Sequence, residues 1–204
     1  MRRTKEEAAI THATLLKAAL SVFSAKGYSA ATLDDVAKAA KVTRGAIYWH
    51  FKSKADLYNM LVEEVSARGA AVVQGAVAEG GTLIEILRRV FVRQCALIEE
   101  DKEARAVMEL ALFKTGLEPE LQAGRKKQLE AGKALVAGIT DAMQQGIVQG
   151  TLRNDLDAAD MARAFIAFEN GVIHLWLASP KSFSLKASAE SFADILIAGL
   201  QRQQ

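Results

Sequence analysis

Apolar side chains recur every three or four positions along most of this chain, and no stretch alternates convincingly with a period of two. The first spacing gathers apolar residues on one face of an α-helix, whereas a half-buried strand requires the second. The two prolines, Pro119 and Pro180, can each stand between helices or at the start of one. The pattern therefore predicts an all-α fold.

Capping residues divide the chain into about nine helices. A hydroxyl residue followed three positions later by a carboxylate is typical of a helix N-terminus. Such pairs occur at Thr4–Glu7, Thr32–Asp35, Ser53–Asp56 and Thr82–Glu85. We expect further helices to start at Thr43, Asp101, Pro119, Asp157 and about Ser188. Gly27 predicts the end of the first helix, because glycine adopts the left-handed conformation without strain.

Charge is distributed unevenly. Residues 1–60 carry ten Lys or Arg against five Asp or Glu, and residues 61–204 carry sixteen against nineteen. A basic N-terminal part suggests a polyanionic partner, although ordinary surface charge explains the imbalance equally well. We expect a DNA-binding domain over residues 1–53 and a helical domain over 54–204. A continuous helix over about 54–78 would join them, since no Gly/Ser-rich linker is present.

Residues 32–57 carry the most informative pattern, two short helices joined by a tight turn at Lys41–Thr43. Val36 and Ala37 give the first helix a small apolar face, which Ile47 and Phe51 can cover. Small residues let two helices cross at the steep angle of a helix-turn-helix. The second helix mixes aromatic with basic side chains, which is unusual for a core helix. The candidate DNA-binding residues are Thr32, Thr43, Arg44, Gly45, Tyr48, Trp49, His50 and Lys54.

These residues suggest different roles on DNA. Arg44 lies near the start of the second helix, where such helices meet base edges, and its guanidinium group suits guanine O6 and N7. Gly45 leaves room for close approach. Tyr48, His50 and Lys54 are better suited to phosphate groups.

The segment Gly45-Ala46-Ile47-Tyr48-Trp49-His50-Phe51-Lys52 closely resembles the DNA-binding domain of the TetR family of repressors, in its multidrug-efflux (AcrR-like) branch. The N-terminus and, more loosely, residues 171–183 resemble the same branch. The resemblance implies a repressor that binds a palindromic operator, controls a drug-efflux or related operon and is released by a small apolar ligand. Two positions depart from the pattern. Lys41 replaces the usual turn glycine, and His12 stands where relatives often carry arginine.

The resemblance also implies that residues 54–204 bind the ligand and form a homodimer through the last two helices. The candidate interface residues are Val172, Leu175, Phe192, Ile195, Leu196 and Leu200. For any single one, packing inside the subunit is an equal alternative. Glu169 is a candidate ligand contact because it interrupts an otherwise apolar helix, and a position at the edge of the dimer is the slightly favoured alternative. The other candidate ligand-binding residues share helical faces and are Phe91, Gln94, Cys95, Ile98, Met108, Leu112, Val136, Ile139 and Phe168. Apolar faces of this kind more often form core.

Other classes of protein fit the sequence less well. Its three histidines are scattered and lack metal-ligand spacing, and no phosphate loop or nucleophile elbow occurs. We therefore expect no enzyme, metal or cofactor. The lone Cys95 and the lack of a long apolar run predict a cytoplasmic protein without a membrane span. A regulator that activates transcription, or that responds to a protein partner, remains an alternative.

Overall fold

The computed structural model describes the backbone of residues 5–201 and the side chains of residues 12–201. This part of the chain forms nine α-helices and one short 3₁₀ helix, so the predicted all-α fold is confirmed. The helices are α1 Lys5–Lys26, α2 Leu33–Ala40, α3 Arg44–His50, α4 Lys54–Ala78, α5 Leu83–Glu100, α6 Lys102–Phe113, α7 Gln122–Val148, α8 Ala158–Ala178 and α9 Leu185–Leu200.

The predicted capping pairs start several of these helices. At α2 the hydroxyl of Thr32 accepts the N–H of Asp35 at 3.1 Å, and the Asp35 carboxylate accepts the N–H of Thr32 at 3.1 Å. Thr82 and Glu85 form the same reciprocal pair at α5. Gly27 ends α1 with a φ of +76°, as expected. The pair Thr4–Glu7 lies outside the residues whose side chains the structure describes.

Two helix starts differ from the prediction. Pro119 opens a 3₁₀ turn, Pro119–Leu121, and α7 follows it from Gln122. Helix α9 begins at Leu185 instead of about Ser188, because the Ser184 hydroxyl accepts the N–H of Ala187 at 3.1 Å. An earlier serine therefore supplies the cap.

The chain divides into two compact units, one of Met1–Ala67 with Lys102–Arg125 and one of Arg68–Asp101 with Lys126–Gln204. The first unit thus contains α6 in addition to the first three helices. Helix α4 contributes residues to both units without a break. The domain boundary at residue 53 stays a prediction.

The core of the first unit fixes the position of the helix-turn-helix. Val36 of α2, Ile47 of α3 and Phe51 are buried in it together with Leu15 and Phe23 of α1. Fully burying a side chain of this size contributes roughly 1.5–3 kcal/mol. Both short helices are therefore anchored on α1 by their apolar sides, which leaves their polar sides outward.

The second unit has its own core, built from α5, α8 and α9. Phe91, Cys95, Phe165 and Trp176 are buried there. The indole N–H of Trp176 donates to the carbonyl oxygen of Phe183 at 3.1 Å, so the polar edge of the ring is satisfied. This bond ties the end of α8 to the loop that leads into α9.

Candidate DNA-binding surface and ligand site

The turn between α2 and α3 sets the direction of α3. Lys41 has a φ of +56°, and the N–H of Val42 donates to the carbonyl oxygen of Ala37 at 3.0 Å. Lys41 thus adopts the left-handed conformation usually given to glycine, at a cost on the order of 1 kcal/mol. Thr43 then caps α3 by accepting the N–H of Ala46 at 3.3 Å. The turn forms despite the missing glycine.

The outer side of α3 carries most of the predicted DNA-binding residues. Trp49 is 88% exposed, and Thr43, Gly45 and Tyr48 are also exposed. A Cβ built on Gly45 would meet only the hydroxyl of Thr43, at 3.9 Å, so the backbone is open to close approach. An apolar ring this exposed contributes little to folding, which favours a binding role.

Two of the predicted DNA-binding side chains, those of His50 and Thr32, are less available for contact with DNA. His50 is half-buried, and its ring centroid lies 6.1 Å from that of His12. Thr32 is exposed, but its hydroxyl serves the cap of α2. The N–H groups of Thr32 and Asp35 also serve this cap, which leaves those of Leu33 and Asp34 for a phosphate group.

Arg44 connects α3 to α2. Its Nε lies 3.3 Å from Oδ1 of Asp34, and its Nη1 donates to Oδ2 of the same carboxylate at 3.5 Å. Its Nη2 donates to the hydroxyl of Tyr48 at 3.2 Å. The bond to Tyr48 and the charge of Asp34 raise the pKa of Arg44. The guanidinium group is thus held at the surface between two helices.

The ammonium group of Lys54 makes contacts within the first unit. Its ammonium group donates to the carbonyl oxygens of Tyr28 at 3.0 Å and Ser29 at 3.4 Å. The same group lies 4.3 Å from the centroid of the Tyr28 ring and 3.8 Å from the carboxylate of Glu120. These contacts hold Lys54 against the loop before α2. They give Lys54 a structural role in the free protein, and its phosphate contact stays a prediction.

In the second unit, five phenyl rings form a phenyl cluster. Its members are Phe91, Phe165, Phe168, Phe183 and Phe192. The centroid of Phe91 lies 6.4 Å from Phe165 and 5.9 Å from Phe168. The centroid of Phe192 lies 6.5 Å from Phe168 and 6.0 Å from Phe183. The cluster joins α5, α8 and α9, and two predicted ligand-binding residues belong to it.

Two titratable groups accompany the phenyl cluster. Burial and the nearby carboxylates of Glu169 and Glu99 raise the pKa of Cys95 to about 12. Burial also raises the pKa of Glu169 to about 7. Within residues 12–201 the Glu169 carboxylate makes no hydrogen bond or ion pair. Glu169 is half-buried and follows Phe168 in the chain, and it is thus a protonatable acid that can hydrogen-bond to a ligand group.

The remaining ligand candidates are placed less uniformly. Ile98 is buried, and Val136 and Ile139 are half-buried on α7. Gln94 donates to the carbonyl oxygen of Gly69 at 3.0 Å. Met108 and Leu112 belong to the first unit, whereas the other ligand candidates belong to the second unit. Their ligand role stays a prediction.

The candidate dimer-interface residues separate into three groups by exposure in the single subunit. Leu175 is 63% exposed and Ile195 is 65% exposed, while Phe192 and Leu196 are half-buried. Val172 and Leu200 are buried in the single subunit, and their place at the interface stays a prediction. The apolar stripes of α8 and α9 are wide enough to serve both the core and an outer face.

Sequence reasoning did not find Asp34. It stands beside Asp35 in the first turn of α2, where one of the two acids completes the cap and the other is surplus. The presence of a second acid that the cap does not need was the sequence feature that could have pointed to Asp34. Its partner Arg44 lies ten positions away across a turn, and no helical spacing connects the two.

Metal-binding and membrane-spanning features do not add a further candidate site. No group of three or more His, Cys, Asp or Glu side chains in the described residues could hold a metal ion. No helix in that part of the chain has both the length and the apolar character needed to cross a bilayer.

Comparison with known proteins identifies both parts of the chain. Residues 15–61 match the family described as bacterial regulatory proteins, tetR family, and residues 83–202 match the MAATS-type transcriptional repressor, C-terminal region. The HTH-type transcriptional regulator TtgR of Pseudomonas putida is 33% identical over 199 residues. The match spans 95% of this chain and 93% of TtgR.

Solved structures show the same fold. The crystal structure of NalD, the secondary repressor of the MexAB-OprM multidrug efflux pump in Pseudomonas aeruginosa, has a TM-score of 0.87 at 23% identity, covering 98% of this chain and 100% of NalD. The SmeT–triclosan complex has a TM-score of 0.81 at 25% identity, covering 95% of this chain and 93% of SmeT. The two family matches and the likeness to TtgR carry the conclusion: the chain belongs to the tetR family of bacterial regulatory proteins, and it is a DNA-binding transcriptional regulator, not an enzyme.

Proposed function

We propose that this protein represses a drug-efflux or related operon by binding a palindromic operator as a homodimer, and that a small apolar ligand releases it. One observation carries the proposal. The chain combines an exposed recognition helix that carries Arg44 with the phenyl cluster, and a protonatable acid, Glu169, follows Phe168 of that cluster in the chain. The first suits DNA and the second suits a small organic molecule. Since it acts on DNA, we place the protein in the cytoplasm.

The relatives support this choice over activation or a protein partner. NalD is described as a repressor of a multidrug efflux pump. SmeT is described as the repressor of the multidrug efflux pump SmeDEF of Stenotrophomonas maltophilia, and it was solved with triclosan bound. The C-terminal match is to a repressor type. Triclosan is small and largely apolar, as the phenyl cluster would require.

On DNA, α3 enters the major groove with its N-terminal end toward the bases. Arg44 contacts guanine, while Thr43 and Trp49 lie beside it on the exposed side of the helix. Tyr48 and the amides at the start of α2 contact phosphate groups. Two such helices must lie roughly 34–36 Å apart to reach successive major grooves, which is why the operator is palindromic.

The homodimer uses the outward sides of α8 and α9. Leu175 and Ile195 are large aliphatic side chains that remain mostly exposed in the single subunit. Leu196 lies beside Ile195 and is half-buried. Exposed aliphatic groups on two neighbouring helices favour a protein interface over a solvated surface. The partner's copies of α8 and α9 would cover them.

The ligand binds within the second unit against Phe91, Phe168 and Glu169. The phenyl rings provide apolar contact, and the carboxyl group of Glu169 donates or accepts one hydrogen bond. To release DNA, the ligand must prefer the conformation that does not fit the operator. A preference of about 100-fold supplies about 2.7 kcal/mol per site.

The test begins with the operator. Genomic fragments retained by the purified full-length protein are sequenced, and the recovered site is used as a labelled duplex. Triclosan, as the probe, is then titrated against the free protein and against the operator complex. Because coupling is reciprocal, the operator should weaken triclosan binding by the factor by which triclosan weakens operator binding.

Controls separate the two halves of the proposal. Phe168→Ala, at a half-buried position, should reduce the response to triclosan while operator binding persists. Failure to retain any preferred fragment would overturn the repressor function. Equal triclosan affinities in the two titrations would overturn release by this class of ligand.

A further inference from the structure

We propose that Asp34 is a positioning residue for sequence recognition, which holds the guanidinium group of Arg44 in place for bases at a cost in general DNA affinity. The inference rests on the proposed DNA-binding function and extends it to a residue outside the recognition helix. It assigns to Asp34 a role in choosing the operator over other DNA.

The cap of α2 leaves Asp34 available for this role. Asp35 and Thr32 form the reciprocal capping pair, and Lys26 binds Asp35 at 2.7 Å. Asp34 takes no part in these bonds, and its side chain is 54% exposed. Within residues 12–201, Arg44 is the one residue bound to its carboxylate.

The contacts constrain Arg44 on two sides. The carboxylate of Asp34 lies 3.3 Å from Nε and accepts a hydrogen bond from Nη1 at 3.5 Å, and the hydroxyl of Tyr48 accepts one from Nη2 at 3.2 Å. Arginine has five N–H donors in a planar fork. The two hydrogen bonds use one N–H of Nη1 and one of Nη2, so three N–H groups remain, enough for a pair to reach O6 and N7 of a guanine. A positioned fork loses less conformational freedom when it binds.

Stability does not account for this ion pair. The side chain of Arg44 is 61% exposed, and exposed ion pairs contribute little to folding. A negative charge beside the base-reading arginine also repels phosphate groups, since it lies well within the screening length of physiological salt. Such an acid weakens binding to all DNA. Its position in the first turn of α2 favours the helix dipole, and its contact with Arg44 adds a role in the choice among sequences.

The experiment measures affinity for the operator and for a random duplex of equal length, at one salt concentration, with full-length wild type and Asp34→Asn. We expect Asp34→Asn to bind random DNA more tightly, by about three- to tenfold, because two negative charges leave the dimer's DNA face. The operator should gain nothing or lose affinity. The ratio of the two affinities should therefore fall about tenfold.

A second cycle tests whether the effect passes through Arg44. In an Arg44→Ala background, Asp34→Asn should leave the affinity ratio unchanged, because no guanidinium group remains to be positioned. Asp160→Asn is the matched control, since Asp160 also stands in the first turn of a helix and pairs with an arginine, Arg163, at 2.6 Å. Thermal unfolding of each variant checks that the fold is intact.

The outcomes are distinct. If Asp34→Asn raises affinity for operator and random DNA equally, Asp34 acts as a charge alone and the inference is wrong. If Asp160→Asn lowers the ratio as much, net charge explains the effect and the inference is again wrong. A wild-type protein without operator preference would instead overturn the proposed function, whatever Asp34 does.

Discussion

Arg44 in the first unit and Glu169 in the second are both charged residues at the centre of a candidate site, yet their surroundings are opposite. Arg44 is exposed and has Asp34 and Tyr48 as partners. Glu169 has apolar surroundings, and burial alone raises the pKa of its carboxyl group to about 7. The DNA site thus depends on contacts arranged at the surface, whereas partial burial governs the protonation of Glu169 in the ligand site.

The aromatic residues show the same contrast. Trp49 projects into solvent from α3, whereas Phe91 of α5 is completely buried and packs against Phe165 of α8. A side chain that stabilises nothing in the free protein is available for a partner. A side chain that stabilises the core cannot be removed without cost. The two sites should therefore respond differently to the same kind of substitution.

The largest expected effect is on Phe91. Phe91→Ala should lower the free energy of unfolding by about 3–5 kcal/mol, because it leaves a cavity in the core. Trp49→Ala should change that energy by no more than about 0.5 kcal/mol and should weaken DNA binding. Chemical denaturation at one protein concentration and fluorescence anisotropy with labelled DNA measure the two effects. Similar losses of stability in both variants would contradict the view that Phe91 stabilises the fold and Trp49 does not.

The next largest effect is the change that Glu169→Gln makes to the pH dependence of the free energy of unfolding. Because the folded state raises the pKa of Glu169 from its ordinary 4.5 to about 7, it binds more protons than the unfolded state between these values. Stability from this group is therefore present below pH 4.5 and is lost as pH rises through about 7.

The glutamine variant escapes this loss. At pH 8 it should be more stable than wild type by on the order of 2–3 kcal/mol, and near pH 4 the two should be equal. Denaturant unfolding at both pH values measures the difference. A difference independent of pH would show that Glu169 is not desolvated in the folded protein.

Arg44→Ala comes third, with Lys54→Met as its counterpart. Arg44→Ala should weaken operator binding about ten- to hundredfold and should weaken random-DNA binding by a smaller factor, because the lost cation also contributes to non-specific affinity. Lys54→Met should chiefly lower thermal stability, because its ammonium group binds the loop before α2. Binding assays on both duplexes and thermal scans distinguish them. An equal loss of affinity for both duplexes in Lys54→Met would instead support the phosphate contact predicted from sequence.

The smallest effects concern the turns of the two units. Lys41→Gly should stabilise the protein by about 0.5–1 kcal/mol, because glycine relieves the strain at φ +56°. Gly80→Ala, at φ +69° in open space, should destabilise it by a similar amount. Thermal unfolding of both variants provides the measurement. An unchanged Lys41→Gly protein would mean that contacts of the lysine offset its strain.

The features that sequence reasoning predicted well are local ones. The cap of Thr32 with Asp35 and the left-handed Lys41 each depend on residues within a few positions. The outward side of α3 follows from its own spacing once Ile47 is placed inside. Together with the family resemblance, these fix the helix-turn-helix and its exposed face.

The failures involve partners that are distant in the chain. The contacts of Lys54 could not be predicted, because Tyr28 and Glu120 lie 26 and 66 positions away in the chain. Val172 and Leu175 share an apolar stripe, and only the packed structure shows that the first is buried and the second exposed. Spacing alone cannot divide a stripe between core and surface.

Cys95 has a practical consequence for experiments on this protein. It is the one cysteine of the chain, it is fully buried, and its raised pKa keeps the thiol protonated. Maleimides and methanethiosulfonates react with exposed thiolates, so the native chain should remain unlabelled. A cysteine introduced on the surface would then carry the probe alone. One nitroxide on each subunit of a homodimer would report inter-subunit distances directly, with the wild-type core left intact.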